Sequence, residues 1–134
     1  MKLIQYVNAH IALGMLARKE LPYGVSLKLV TLKRSIAPKV EFYIAEEKKL
    51  ADRFARVGDN GKPAYTGGKF ECTGDTPEEV HANTAEFERL RGELSMTEDD
   101  ETPEKINVRI TEEFQITPEA LEALEPFIEF VAAE

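Results

Sequence analysis

Apolar residues recur at helical spacing from the start of the chain. Ile4, Val7, Ile11 and Met15, with Leu3 and Leu16 beside them, predict an amphipathic helix over residues 2–20. Leu21-Pro22-Tyr23-Gly24 ends it, because proline withholds a donor and glycine supplies turn freedom. The stretch that follows, LKRSIAPKVEFYIAEEKKL, supports two readings. In steps of three and four, Leu29, Leu32, Ile36, Val40, Tyr43, Leu50 and Phe54 form one stripe after a capping Ser26. With the seven residues from Tyr43 to Leu50 counted as two steps, their mean step is about 3.6, close to the 3.5 of a coiled-coil seam. In steps of two, Val40, Phe42 and Ile44 form a strand, with Val25–Lys33 and Lys39–Ala45 as a hairpin. Pro38 costs roughly 3 kcal/mol inside a helix and disfavours helical geometry at Ala37. The hairpin, however, must run straight into the helix of residues 46–57 without a turn residue. A long helix kinked near Pro38 is therefore the expectation, with the hairpin as its alternative.

Gly58 is a natural C-cap for that helix, and residues 58–75 are rich in turn formers. Within them PAYTGGKFEC suits a small hairpin, with Gly67-Gly68 at its turn and Tyr65 and Phe70 in its arms. Thr76-Pro77-Glu78-Glu79 starts a helix: Thr76 caps the Glu79 amide, Glu79 reaches back, and proline takes the first helical position. Val80, Phe87, Leu90 and Leu94 give this helix an apolar face as far as about residue 96. TEDDETPE (97–104) reads as a solvated acidic loop. Ile106, Val108 and Ile110 alternate with polar residues and predict a strand with one buried face. Thr117-Pro118-Glu119 opens a last helix carrying Leu121, Leu124, Ile128 and Val131, kinked or split at Pro126. A lone strand needs a partner, and the 63–72 hairpin is the expected one. The expected fold is a single α+β domain over 1–134, mostly helical. It has a long kinked central helix, N- and C-terminal helices and a small antiparallel sheet.

Charge changes this picture more than composition does. With 43% hydrophobic residues in 134, the chain can bury one modest core. No apolar run is long enough to span a bilayer, and Gln5, Asn8 and His10 break the pattern of a signal peptide, so no membrane is expected as a partner. Cys72 is the only cysteine and fits a reducing cytoplasm. The net charge of −8 is unevenly placed. Residues 1–40 hold seven Lys or Arg against Glu20 alone, whereas residues 41–134 hold ten against 24 acids. Arg18, Lys19, Lys28, Lys33, Arg34 and Lys39 form a candidate basic patch of the kind phosphate contacts require. The acidic remainder supports the opposite idea, an imitation of a phosphate backbone. Glu78, Glu79, Glu86, Glu88 and Glu93 lie on one predicted helix, and Glu119, Glu122, Glu125 and Glu129 on another.

Catalytic and metal chemistry have little to stand on. Cys72, His10 and His81 lack the local signature of a nucleophilic site, and their spacing is not that of a zinc site. The acidic loop lacks the ligand alternation and glycine of a calcium loop. GDNGKPAYTGGK lacks the spacing of a phosphate-binding loop. No catalytic residue, metal or cofactor is expected.

The order of the pieces resembles a known family. Asn8, Leu13 and Leu16 lead into Leu21-Pro22, and a charged helix then carries Glu46-Glu47-Lys48-Lys49-Leu50. A glycine-rich insertion follows, then a helix ending Arg91-Gly92-Glu93-Leu94, and the close INVRITEEFQITPEALEALEPFIEF. This is similar to small phage and prophage proteins grouped as domain of unknown function 1617, with Pro38 a departure from their uninterrupted helix. The resemblance implies a mainly helical fold in a phage or prophage setting, and it carries no activity and no site residues. The expected role is a non-enzymatic accessory or assembly factor that acts through a protein partner. Its place is the cytoplasm of an infected or lysogenic cell, or the virion. Head-to-tail pairing of basic and acidic parts predicts a homo-oligomer, with Leu29, Leu32, Ile36, Val40, Tyr43, Leu50 and Phe54 as the self-association seam. The alternatives are an acidic inhibitor of a host enzyme or defence complex and a nucleic-acid-binding accessory factor.

Overall fold

A computed structural model describes residues 1–57, 61, 65–66, 69–99, 101 and 103–132, with 65–66 and 69–70 as backbone. The element order is α1 (Leu3–Leu16), α2 (Tyr23–Phe54), β1 (Tyr65–Thr66), β2 (Lys69–Phe70), α3 (Pro77–Ser95), β3 (Ile106–Ile110), α4 (Pro118–Leu124) and β4 (Ile128–Ala132). The described residues are mostly helical. They fall into two compact units, one of Met1–Glu41 with Glu98–Glu134 and one of Phe42–Thr97.

In the first unit, α1 buries a different stripe from the one its spacing suggested. Leu3, Tyr6, Ala9, Ala12, Leu13 and Leu16 face the core, while Ile11 and Met15 stand 57% and 50% exposed. The helix also ends at Leu16, short of residue 20. Helix α2 is continuous, so the hairpin alternative fails, and Pro38 lies inside it. It begins at Tyr23, before Ser26, whose amide donates to the Pro22 carbonyl at 3.0 Å. Leu29, Leu32, Ile36 and Val40 pack with the α1 stripe, Val108, Ala120, Leu124, Phe127 and Ile128 in one core. Each such aliphatic or aromatic side chain contributes about 1.5–3 kcal/mol by leaving water.

The sheet of this unit overturns two expectations. β3 pairs with β4, and the pairing is parallel, from Ile106 opposite Ile128 to Ile110 opposite Ala132. The strand thus does not join the hairpin, and the expected antiparallel sheet is corrected to a parallel pair. Residues 128–132 are strand where a helix was expected. Pro126 supplies no N–H, and its ring crowds the carbonyl four residues back, so α4 stops at Leu124. Beyond it Ile128, Phe130 and Val131 favour extended geometry. Parallel strands need a crossover, and residues 111–127, including α4, provide it. Thr117 caps α4 by accepting from the Ala120 amide at 3.2 Å.

The second unit holds the rest of α2, from Phe42 to Phe54, and α3 beside it. The Tyr43 and Ser95 hydroxyls are 3.1 Å apart, Arg91 Nε donates to Glu47 at 3.1 Å, and the Phe54 and Phe87 rings lie 6.0 Å apart. Contacts that pair 43 with 95 and 54 with 87 make the two segments antiparallel. Among the described residues of this unit Tyr43, Phe54, Ala55 and Cys72 are buried, whereas α3 buries none of its residues fully and Val80, Phe87, Leu90 and Leu94 are half-buried. β1 and β2 form an antiparallel pair with Tyr65 opposite Phe70. The chain after β2 pairs with the end of α2, Ala55 opposite Cys72. The expected turn at Gly67-Gly68 and cap at Gly58 lie outside the described residues. Thr76 caps α3 as expected, while the Glu79 carboxylate reaches the Asp75 amide, 2.8 Å away, instead of that of Thr76.

Two substitutions test this packing. Pro38→Ala restores a donor to the Arg34 carbonyl and is expected to stabilise the chain by about 1–3 kcal/mol. That raises the melting temperature by roughly 2–8 °C, and a drop would contradict a continuous α2. At Gly74 an added Cβ would lie 2.7 Å from the Val80 amide nitrogen and 2.8 Å from its Cγ2. Gly74→Ala is expected to cost about 1–3 kcal/mol in denaturant unfolding, and an unchanged midpoint would refute the close approach.

Candidate functional site

The exposed residues of α1 border a groove against α4 in the first unit. Gln5, Asn8, Ile11, Ala12 and Met15 line one wall. Thr117, Glu119, Ala120, Glu122, Ala123 and Pro126 line the other, around a volume of about 480 Å3. The spacing Asn8, Ile11, Ala12, Met15 puts these side chains on one face of α1. Ala12 and Ala120, one from each helix, are buried and end at Cβ, which leaves room between the walls. Glu119 and Glu122 are exposed on the α4 wall, and the lining contains no cation. Gln5 is fixed at the near end, its carboxamide oxygen accepting from the Lys2 amide at 2.8 Å. An open, largely apolar trough with two carboxylates on one side is suited to hold an apolar side chain flanked by positive charge.

A polar cluster closes the same unit. The Tyr6 hydroxyl donates to Asp99 Oδ2 at 3.1 Å, and Lys39 Nζ lies 2.9 Å from the same oxygen. Lys39 is also 3.7 Å from Glu101, and the Asp99 amide donates to the Met1 carbonyl at 2.8 Å. Asp99 is only 15% exposed at its side chain, so it is an anchor, not part of a solvated loop. The Lys39 hydrogen bond, chiefly, holds the Asp99 carboxyl below its usual range, and Asp99 in turn holds the Lys39 ammonium above its own. Burial, and after it the hydrogen bond to Asp99, push the Tyr6 phenol up to about 12.

The candidate basic patch is not one surface. Lys19 donates to the Gln115 carbonyl and lies 5.8 Å from the Phe114 ring centre. Lys28 donates to the Asn107 carbonyl at 2.6 Å, and Lys39 is held by Asp99. Lys28 and Lys39, about three turns apart, flank the buried stripe of α2 on one side. Lys33 flanks it on the other, and Arg34 points away from it. Arg18, Lys33 and Arg34 form no ion pair among the described residues. The self-association seam is likewise corrected. Leu29, Leu32, Ile36, Val40, Tyr43 and Phe54 are buried and Leu50 is half-buried, so the stripe is core within its own chain. The acids of α3 are partly engaged locally, Arg89 being bonded to Glu86 at 3.0 Å and Glu93 at 2.6 Å. Glu129 stands on β4, not on a helix with Glu119 and Glu122. Cys72 is buried in the second unit, and His10 belongs to the first. No helix among the described residues is long and apolar enough to cross a membrane.

Neither the groove nor the Asp99 cluster was anticipated from sequence. The groove had one signal: Ile11 and Met15 form a second apolar stripe on α1 beside that of Leu3, Tyr6, Leu13 and Leu16. No family model, curated protein or solved structure matches the chain.

The cluster makes stability depend on pH at both ends. The folded-state value of Asp99 is depressed, so its contribution is present above the unfolded value of about 4 and lost as pH falls below it. Tyr6 is raised from 10.0 to about 12, so its contribution is intact below pH 10 and lost as pH rises toward 12. Asp99→Asn is expected to flatten the acid loss of stability. It should also lower the Tyr6 value without returning it to 10.0, since burial is the larger cause. Phenolate absorbance, with Tyr6→Phe to assign the component, reads this directly. An Asp99→Asn titration identical to the wild type would refute the coupling.

Proposed function

We propose that the chain is a non-enzymatic interaction protein that docks a partner protein in the groove between α1 and α4. The observation that carries this reading is the exposure of Ile11 and Met15, one turn apart on the α1 wall beside the alanine floor. Apolar side chains that a folded chain leaves in water each gain about 1–3 kcal/mol when a partner covers them. Methionine suits such a wall because its unbranched thioether adapts to the shape it meets. Gln5, Asn8 and Thr117 supply the polar rim that orients an occupant. Such docking would fit the accessory or assembly role, in an infected cell or a phage particle, that the sequence resemblance implies.

The double variant Ile11→Glu, Met15→Glu tests the docking. Both positions are exposed, so its stability is expected to stay within about 0.5 kcal/mol of the wild type. In affinity capture from phage-infected or lysogenic cells, the proteins held by the wild type are expected to fall at least roughly tenfold, or about 1.4 kcal/mol. Equal capture by the variant would move the docking surface away from this groove.

A further inference from the structure

The first unit carries a second apolar surface whose charge is opposite to that of the groove. Tyr23, Leu27 and Val30 are 81%, 51% and 41% exposed on α2. Their spacing of four and three residues makes one stripe on the outer side of the helix. Leu27 and the buried Leu29 differ by about 200° around the axis, so this stripe is separate from the core stripe. Arg34 continues it one turn further, and Lys33 stands beside Val30 along the shallow pocket they share with Lys19. From Leu21 to Val40 the chain has no Asp or Glu. The groove has the complementary character: an apolar trough, Glu119 and Glu122 on its rim, and no cation in its lining. Neither these carboxylates nor Lys33 and Arg34 form an ion pair among the described residues.

Resting on the docking reading of the groove, we propose that its occupant is a second copy of this chain. That copy presents the Tyr23–Leu27–Val30 stripe of α2. Leu27 and Val30 lie against Ile11 and Met15 over the alanine floor, and Arg34 and Lys33 meet Glu119 and Glu122. The mode is a helix in a groove, read by anchors at i, i+4 and i+7. Because stripe and groove are different patches, the contact is head to tail. An open assembly of any length keeps one free stripe and one free groove, and it grows until it closes as a ring or continues as a filament.

The head-to-tail geometry has its own test. Leu27→Glu breaks the stripe and Ile11→Glu breaks the groove, both at exposed positions. Circular dichroism confirms that each variant folds, and Arg34→Glu replaces Leu27→Glu if that one does not. By light scattering the wild-type mass is expected to rise above the monomer with concentration, while each variant alone stays at the monomer. An equimolar mixture is expected to reach twice the monomer mass and stop, because one intact stripe then meets one intact groove. A wild type that stays monomeric into the high micromolar range overturns the proposal, as does a mixture that stays monomeric or a wild-type assembly that neither variant disturbs. If the wild type is monomeric while Ile11→Glu, Met15→Glu still abolishes capture of a different protein, this inference fails and the docking reading stands. If that double variant changes neither, both fail.

Discussion

The carboxylate of Asp99 receives Tyr6 and Lys39 at the place where the chain returns to its first unit after residues 42–97. The Tyr6 ring is almost fully buried and packs 5.6 Å from that of Phe127, which stands at the turn between α4 and β4. A buried phenol without an acceptor costs about 1–3 kcal/mol, and the Tyr6 hydroxyl finds its closer acceptor in Asp99 and a longer one, at 3.5 Å, in the Glu101 carbonyl. Asp99 in turn is fixed by its backbone bond to Met1 and by Lys39 of α2. One polar contact thus ties together α1, α2 and the returning chain, and the apolar core of α1, α2, α4 and the parallel strands is built against that tie.

Around α1 and α2 the same helices serve more than one environment. α1 is apolar on most of its circumference. Leu3, Tyr6, Leu13 and Leu16 complete the core, and Ile11 and Met15 are left to wall the groove. On α2 the lysines on one side of the buried stripe are engaged within the unit, Lys28 donating to the Asn107 carbonyl and Lys39 pairing with Asp99. Cations spent this way position β3 and the 111–117 connection; they are not available to a polyanion. Arg34 and Lys33, placed differently around the helix, keep their charge free.

Legibility followed how local each signal was. The stripe from Leu29 to Phe54 was readable because seven residues repeat at one spacing. Whether it met its own chain or a second copy was not, since periodicity records that a face is covered and not by what. The Thr76 and Thr117 caps and strand β3 were readable for the same local reason. β4 was misread because Leu121, Leu124, Ile128 and Val131 keep helical spacing straight through Pro126. The proline outweighed the pattern, and the need of β3 for a partner decided the rest. On α1 two apolar stripes compete, and only the alanines at 9 and 12, small enough for close approach, favour the one that is buried. Asp99 gave no sign at all. It sits in an acidic run, and its partner Tyr6 is 93 residues away, a separation no pattern along the chain can express.

The first unit is made of two stretches with a whole compact unit between them in sequence. That arrangement sets an order of events as the chain leaves the ribosome. The segment 42–97 has every residue of its own unit once it has emerged. Residues 1–41 emerge earlier, yet their apolar stripes cover one another only in part until Val108, Leu124, Phe127 and Ile128 arrive. The earliest-made stretch of the chain is therefore the last to be completed, and part of its apolar surface stays in water through most of synthesis.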